Sequence, residues 1–304
     1  MDIALASGIS RFGSISTEAV LTKRFFNDFF KERIKMNKQW KLTVGAAALA
    51  MSFGAQAAPV DLFTTNQGPF SDNTPTAGDT GLVIASGMGG SVTGGLDILG
   101  TNRDIFVSLI GNGGVGTRAA TMSVGGGVLD FSVDTLSQGR GQIQWDGATD
   151  QTTAIDYTGL GAVDLTAGGT LNTFALDILF SDGGFNFEVT AYSSATSWTR
   201  ISFLSTAHPV AATTAIPFAA FMNPFLCGVP NPAPGVLLIT CGATVANLSS
   251  LGALVVDLDR FGGTTSIDLT LDNVRTVPEP GVLALMGMGL MAAGFAGRRR
   301  KSQA

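Results

Sequence analysis

The feature that most limits the fold is a rhythm of short apolar or alternating segments, separated by Gly, Asp, Asn and Ser, across residues 104–274. They read as strands at 104–110, 119–124, 128–133, 141–145, 172–180, 185–192, 197–204, 236–240, 253–258 and 266–274. Alternation is cleanest in FNFEVTAY, where Phe185, Phe187, Val189 and Ala191 share one face, and in SIDLTLDNV, where Ile267, Leu269, Leu271 and Asn273 do. Ser181-Asp182-Gly183-Gly184, between two of these strands, reads as a tight hairpin turn. No stretch of this body sustains helical periodicity with helix-forming composition. Many strands at short spacing predict an all-β, antiparallel β-sandwich. The body's length favours a jelly-roll-like arrangement over an immunoglobulin-like one.

The ends of the chain differ from this body. Between Pro59 and Pro280 stand 19 acidic residues, 6 arginines and no lysine, a formal balance of -13. Such a body offers no basic patch to neutralise phosphates, which excludes nucleic acid as a partner. Basic residues crowd the termini instead, eight in residues 1–41 and four in 298–301. That segregation fits a chain whose ends are read by a membrane.

From Met36 the chain reads MNKQWK, then an apolar stretch of 12 residues, LTVGAAALAMSF, then GAQAAP. This is a basic region, a short apolar core and a small-x-small site at Ala55 and Ala57, so signal peptidase is expected to cut before Ala58. The core is too short for a durable membrane span. Residues 1–35 set Phe25, Phe26, Phe29 and Phe30 among basic residues. They read as an upstream extension before a true start at Met36, the alternative being a small amphipathic helix at the inner membrane surface.

At the other end, Val277-Pro278-Glu279-Pro280 is followed by 17 uncharged residues and then Arg298-Arg299-Arg300-Lys301. As a helix the uncharged segment is roughly 26 Å long, enough for a thin bilayer. Proline keeps the preceding strand from running into that helix, and the basic cluster holds the tail end cytoplasmic. A plain tail anchor shares this physics. In order, spacing and position the three parts resemble the PEP-CTERM sorting signal of Gram-negative bacteria. The resemblance implies handling by an exosortase, a multi-pass membrane cysteine protease-transpeptidase. Pro278, Glu279 and Pro280 would be its recognition residues, and Arg298, Arg299 and Arg300 the retention and orientation element. It also implies export across the inner membrane, transient anchoring there, and delivery to the cell surface or beyond, often in organisms that make exopolysaccharide. The expected organisation is therefore an extension (1–35), a signal peptide (36–57), an exported β-sandwich (58–276) and a sorting signal with transmembrane helix and basic tail (277–301).

Within the body, Cys227 and Cys241 are the only cysteines and flank a segment with prolines at 230, 232 and 234. In an exported protein they are expected to form a disulfide, and zinc bound by two cysteines without neighbouring histidines is the poorer alternative. The single histidine, His208, reads as an exposed loop residue; serine catalysis would require folding to bring it a serine and an acid. Glu188 is the body's only glutamate apart from Glu279, so a hydrolytic carboxylate pair would have to draw on aspartates. Glycine-rich pieces at 87–95, 111–116 and 125–127 lack both a strand-GxGxxG-helix context and a Walker lysine, which argues against a nucleotide site.

Structural calcium is the one cofactor the residues suit, with Asp257, Asp259 and Asp272 as hard oxygen donors. Asp257 and Asp259 are expected on the solvated face of one strand. Trp145, Trp198 and Tyr192 are candidates to stack on glycan rings, although the tryptophans suit a core equally well. The last strand, IDLTLDNVR, resembles the terminal strand of many carbohydrate-binding jelly rolls. The expected function is that of a non-enzymatic cell-surface or matrix-associated protein. The alternatives are a carbohydrate-binding module acting on exopolysaccharide and, third, a secreted glycoside hydrolase.

Overall fold

The structure is a computed structural model that describes residues 57–75, 88–148 and 153–278. The chain divides into units 1–54 and 55–304, and every described residue lies in the second. The expected extension, the expected signal peptide up to residue 56 and the tail segment from residue 279, with Ala55, Glu279, Pro280, Arg298, Arg299 and Arg300, lie outside the described residues. Among the described residues no helix is long and apolar enough to cross a membrane.

The described strands are β1 (Ala58–Asp61), β2 (Gln67–Asp72), β3 (Met88–Thr93), β4 (Asn102–Gly111), β5 (Ala120–Gly125), β6 (Val128–Val133), β7 (Gln138–Trp145) and β8 (Thr173–Ser181). They continue with β9 (Asn186–Tyr192), β10 (Trp198–Leu204), β11 (Ala212–Pro217), β12 (Pro230–Ala233), β13 (Val236–Cys241), β14 (Ala253–Leu258) and β15 (Asp268–Val277). One short helix, α1 (Phe218–Met222), follows β11. A first sheet runs β11-β8-β15-β6-β5-β2, with β1 also on β15, and a second runs β12-β13-β10-β9-β14-β7-β4-β3. The strand pairs are antiparallel, and the chain passes repeatedly from one sheet to the other, as in a jelly roll.

Period-two alternation builds the core. In β5, Ala120, Met122 and Val124 are buried between the sheets while Thr121 and Ser123 are half-exposed. In β9, Phe187, Val189 and Ala191 join the same core. Two local readings change. Residues 181–184 are a corner, not a hairpin, because β8 belongs to the first sheet and β9 to the second. Ser181 and His208 fix that corner by exchanging backbone hydrogen bonds of 2.9 and 2.7 Å. In β15 the register shifts between Leu271 and Asn273, so Leu269 and Leu271 hand the buried face on to Val274 and Thr276, and Asn273 is left half-exposed. A bulge of this kind inserts a residue and inverts the phase of the alternation.

Cys227 and Cys241 form the expected disulfide, with a Cα–Cα distance of 5.6 Å. Closing a loop of this size contributes roughly 3 kcal/mol. It ties the stretch that leads into β12 to the end of β13.

The charge deepest in the core belongs to Arg103, on the inner side of β4. Its Nη1 donates to both oxygens of Asp61 at 2.9 and 3.1 Å, its Nη2 to the Thr65 carbonyl at 2.6 Å, and its Nε to Gln67 Oε1 at 2.8 Å. Asp61 also accepts from the Trp145 indole nitrogen and the Phe63 amide, each at 2.8 Å. Both charged side chains are fully buried. Burial pushes the Asp61 carboxyl above the ordinary carboxylate range, against the pull of Arg103 and of the Trp145 and Phe63 hydrogen bonds. Replacing Asp61 by Asn removes the counter-charge of a buried guanidinium and should lower stability by about 3–5 kcal/mol. The double variant Asp61→Leu, Arg103→Met should lose less than Asp61→Asn alone. Urea denaturation of the three proteins checks this, and equal losses would show that the charges are not coupled.

Candidate functional site

The outer face of the second sheet brings together a connected set of polar side chains. In β14, Leu254, Val256 and Leu258 enter the core, which turns Ala253, Val255 and Asp257 to the other face. The register then sets rows across neighbouring strands. Asp257 stands opposite Gln142 on β7 and Glu188 on β9, and Glu188 opposite Ser202 on β10. Val255 stands opposite Gln144 and Thr190, and Thr190 opposite Arg200. The third row is Ala253, Tyr192 and Trp198. Directly opposed side chains lie close enough to interact, so each row is a contact set.

Two charge clusters result. Asp257 Oδ1 accepts from Arg140 Nη2 and from Gln142 Nε2, each at 2.9 Å. Gln144 Nε2 donates to Gln142 Oε1 at 2.9 Å and to the Thr153 carbonyl at 3.2 Å. Glu188 accepts from Ser202 Oγ at 2.7 Å and Arg260 Nη1 at 3.0 Å, with Arg200 Nε 3.4 Å away. Arg200 also donates from Nε to Thr190 Oγ1 at 3.0 Å, and its guanidinium lies 5.5 Å from the Trp198 ring centroid.

The third row is aromatic. Tyr192 lies between Tyr157 and Trp198, at centroid distances of 5.1 and 6.3 Å. Thr153, Ile155 and Tyr157 fold over this end of the face, and Gly252 sits so close to the Tyr157 carbonyl that no Cβ fits there. Trp198 and Tyr157 stay half-buried, while Asp257, Gln142 and Gln144 are fully buried. Asp257 Oδ2 and Gln144 Oε1 are buried acceptors with no donor among the described residues. Such atoms call for a hydroxyl or a water.

The candidate glycan residues are split by the sheet. Tyr192 and Trp198 meet on the outer face, but Trp145 is 0% exposed, faces the core and donates to Asp61. The candidate calcium residues are not gathered. Asp257 and Asp259 are buried, not solvated: Asp257 pairs with Arg140, and Asp259 follows the strand at φ 47° and accepts from the Thr264 amide at 2.9 Å. Burial pushes the Asp259 carboxyl upward against the Thr264 hydrogen bonds. Asp272 lies on β15 in the first sheet, beside Asn273. Among the described residues no three His, Cys, Asp or Glu side chains are grouped as metal ligands. Ala57 is exposed just before β1, Ala58 opens that strand opposite Thr276, and Pro278 is buried just after β15.

Sequence reasoning did not single out Arg140, Gln142, Gln144 or Arg200. Their signal was present in QGRGQIQW, where Arg140, Gln142 and Gln144 alternate with Gly141, Ile143 and Trp145. A polar half of that kind points to a second, non-core environment.

These features define an antiparallel β-sandwich whose first and last described strands pair with one another. Residues 276–301 match the PEP-CTERM protein-sorting motif, so the chain carries the sorting signal that its tail resembles. That motif indicates export and exosortase-mediated sorting to the cell surface. No curated protein matches the chain. Among solved structures, the family 11 carbohydrate-binding module of the cellulosomal cellulase Lic26A-Cel5E of Clostridium thermocellum is similar at 12% identity and a TM-score of 0.36, over 74% of this chain and 95% of that one. A structure described as CBM4 is similar at 9% identity and a TM-score of 0.30, over 58% and 87%. PfGH50B is similar at 9% identity and a TM-score of 0.34, over 57% of this chain, which spans only 22% of its length. An exo-beta-agarase is likewise covered over 22% of its length. These likenesses are faint, and the sandwich rests on its own strand pairing.

Burial raises the Tyr192 phenol above its ordinary value, with Arg200 acting in the opposite sense and Asp257 and Tyr157 adding to the rise. The chain has only 2 tyrosines, so Tyr157→Phe leaves Tyr192 as the sole phenol. Spectrophotometric titration of that variant should place its ionisation above the usual tyrosine value of about 10. A titration at the usual value would mean that the aromatic row is open to water.

Proposed function

We propose that the chain is a non-enzymatic cell-surface or matrix-associated protein, trimmed by signal peptidase at one end and handled by an exosortase at the other. The observation that carries this reading is the pairing of Ala58 with Thr276 and Pro59 with Arg275. The first strand begins at the expected signal-peptidase cut, and its partner ends at Val277, next to the motif's Pro278. Removing both ends leaves every described strand whole. The arginines support the same reading. Arg103, Arg140, Arg200, Arg260 and Arg275 each pair with a carboxylate of the body, so little positive charge remains to offset a lysine-free, acidic exterior. Such a surface keeps a delivered protein soluble and apart from other anionic polymers.

The test is the intact mass of the surface-borne or released product from cells that contain the processing enzyme. The expected product starts at Ala58 and lacks the apolar helix and basic tail. Retention of residues 281–304 in those cells would sink the proposal.

A second reading, contact with extracellular polysaccharide, is favoured by the aromatic row, in which Tyr157 and Trp198 flank Tyr192 and keep some exposure. Sugar ring faces would stack on Trp198. In gels containing the host's own exopolysaccharide, the processed protein should be retarded and Trp198→Ala should migrate faster than it. Equal mobility of the unaltered protein with and without polysaccharide, in calcium or in chelator, would remove this reading.

A further inference from the structure

The two sheets do not close on one another everywhere. Between β8 and β11 of the first sheet and β9, β10 and β13 of the second lies a cavity of about 480 Å³. Leu176 and Ile216 line it from one side, and Phe187, Ile201, Phe203 and Val236 from the other. Among the described residues no Asp, Glu, Lys or Arg side chain lines it. Apolar cavities of this kind stay dry and accept apolar molecules, and the volume falls within the roughly 300–1,000 Å³ of small-molecule sites.

The polar side chains of the described lining gather at one rim, with Thr214 of β11 the exception. Ser205, Thr206 and His208 follow β10 at the rim, beside Leu204, which is 54% exposed. Two constraints hold the rim and the opposite wall in place before any ligand arrives. His208 is bonded through its backbone to Ser181. The Pro232 to Gly235 wall lies within the loop closed by the Cys227–Cys241 disulfide.

We infer that this cavity binds one aliphatic chain bearing an uncharged polar head, with the chain between the sheets and the head hydroxyl at Ser205, Thr206 and His208. The charge pattern selects the head. Among the described residues a carboxylate or phosphate would find no lysine or arginine at the lining, only the His208 imidazole, and an ammonium would find no carboxylate. Burying either charge unpaired is strongly unfavourable. A sugar is a poor fit for the same wall, since most of its hydroxyls would lose water without gaining partners. The inference is independent of the outer face, which lies on the other side of the second sheet.

The test uses the processed, oxidised protein and a neutral fluorescent probe, N-phenyl-1-naphthylamine, displaced by 1-hexadecanol or by palmitate at neutral pH. Hexadecanol should displace the probe saturably at one equivalent, and palmitate should be roughly tenfold weaker or worse. Ile201→Trp fills the cavity from β10 and should reduce probe affinity by roughly tenfold or more. Should that variant fail to fold, Ala220→Trp fills the cavity from α1 with the same expected loss. Thr206→Arg, at the exposed rim, should bring palmitate level with the alcohol. The inference is overturned if the probe does not bind saturably, if a folded filling variant binds as the parent does, if palmitate equals hexadecanol in the parent, or if Thr206→Arg leaves palmitate unchanged.

Discussion

The buried pair of Asp61 and Arg103 is the contact on which the rest of the sandwich depends. Asp61 is the last residue of β1, which pairs with β15 in the first sheet, while Arg103 comes from β4 and Trp145 from β7 in the second. One carboxylate thus fastens the first strand to both layers at once, by ladder on one side and by charge on the other. A buried ion pair is a weak source of net stability, because desolvation of both charges opposes their attraction. What it supplies here is position. The guanidinium has a carboxylate, an amide oxygen and a backbone carbonyl as acceptors only when β1 lies alongside β15 and residues 65–67 follow it inward. The first described strand is therefore part of the core, although it is only four residues long.

The second sheet holds another buried charge group, and the contrast separates structure from possible contact. Around Asp61 both carboxylate oxygens are occupied by donors. Around Asp257 one oxygen is held by Arg140 and Gln142 while the other has no donor among the described residues, and Gln144 presents a second such acceptor two residues along β7 from Gln142. A saturated cluster has no further capacity for a partner. An unsaturated one carries a standing penalty that any correctly placed hydroxyl relieves. The glycan reading attaches to the outer face because Trp198 and Tyr157 keep some exposure there, and not to Trp145, whose indole nitrogen is already engaged in the core.

Each of the ten segments read as strands from alternation is a strand, with Val128–Val133 and Ala253–Leu258 matching residue for residue. The strands that escaped that reading are β1 and the four sheet edges, β2, β3, β11 and β12. The physics of an edge explains why. Gly68 and Pro69 in β2, Gly89 and Gly90 in β3, Pro217 in β11 and Pro230 and Pro232 in β12 blur the alternation by which a strand is recognised. The same residues make an edge a poor template for a further strand. The corner at 181–184 misled because a turn sequence fixes local geometry and not which sheet comes next. The outer-face cluster was hidden for a different reason: Arg140 meets Asp257 across 117 positions, and only the register of β7 with β14 brings them together. The tail was legible because its three parts are contiguous.

The disulfide joins the fold to the route. β12 is a four-residue edge strand in which Pro230 and Pro232 have no N–H to give the ladder, and it meets β13 through an irregular register. Backbone pairing alone is a weak hold on this wall of the inter-sheet cavity. Cys227–Cys241 supplies a covalent one, closing the loop from the turn before β12 to the end of β13. Such bonds form and persist in oxidising compartments outside the cytoplasm. A chain carrying an exosortase sorting motif is directed out of the cytoplasm, where a bond that secures this wall can form and persist. The sorting signal at residues 276–301 and the cysteine pair are in this sense two parts of one requirement: the first takes the body to where the second can close.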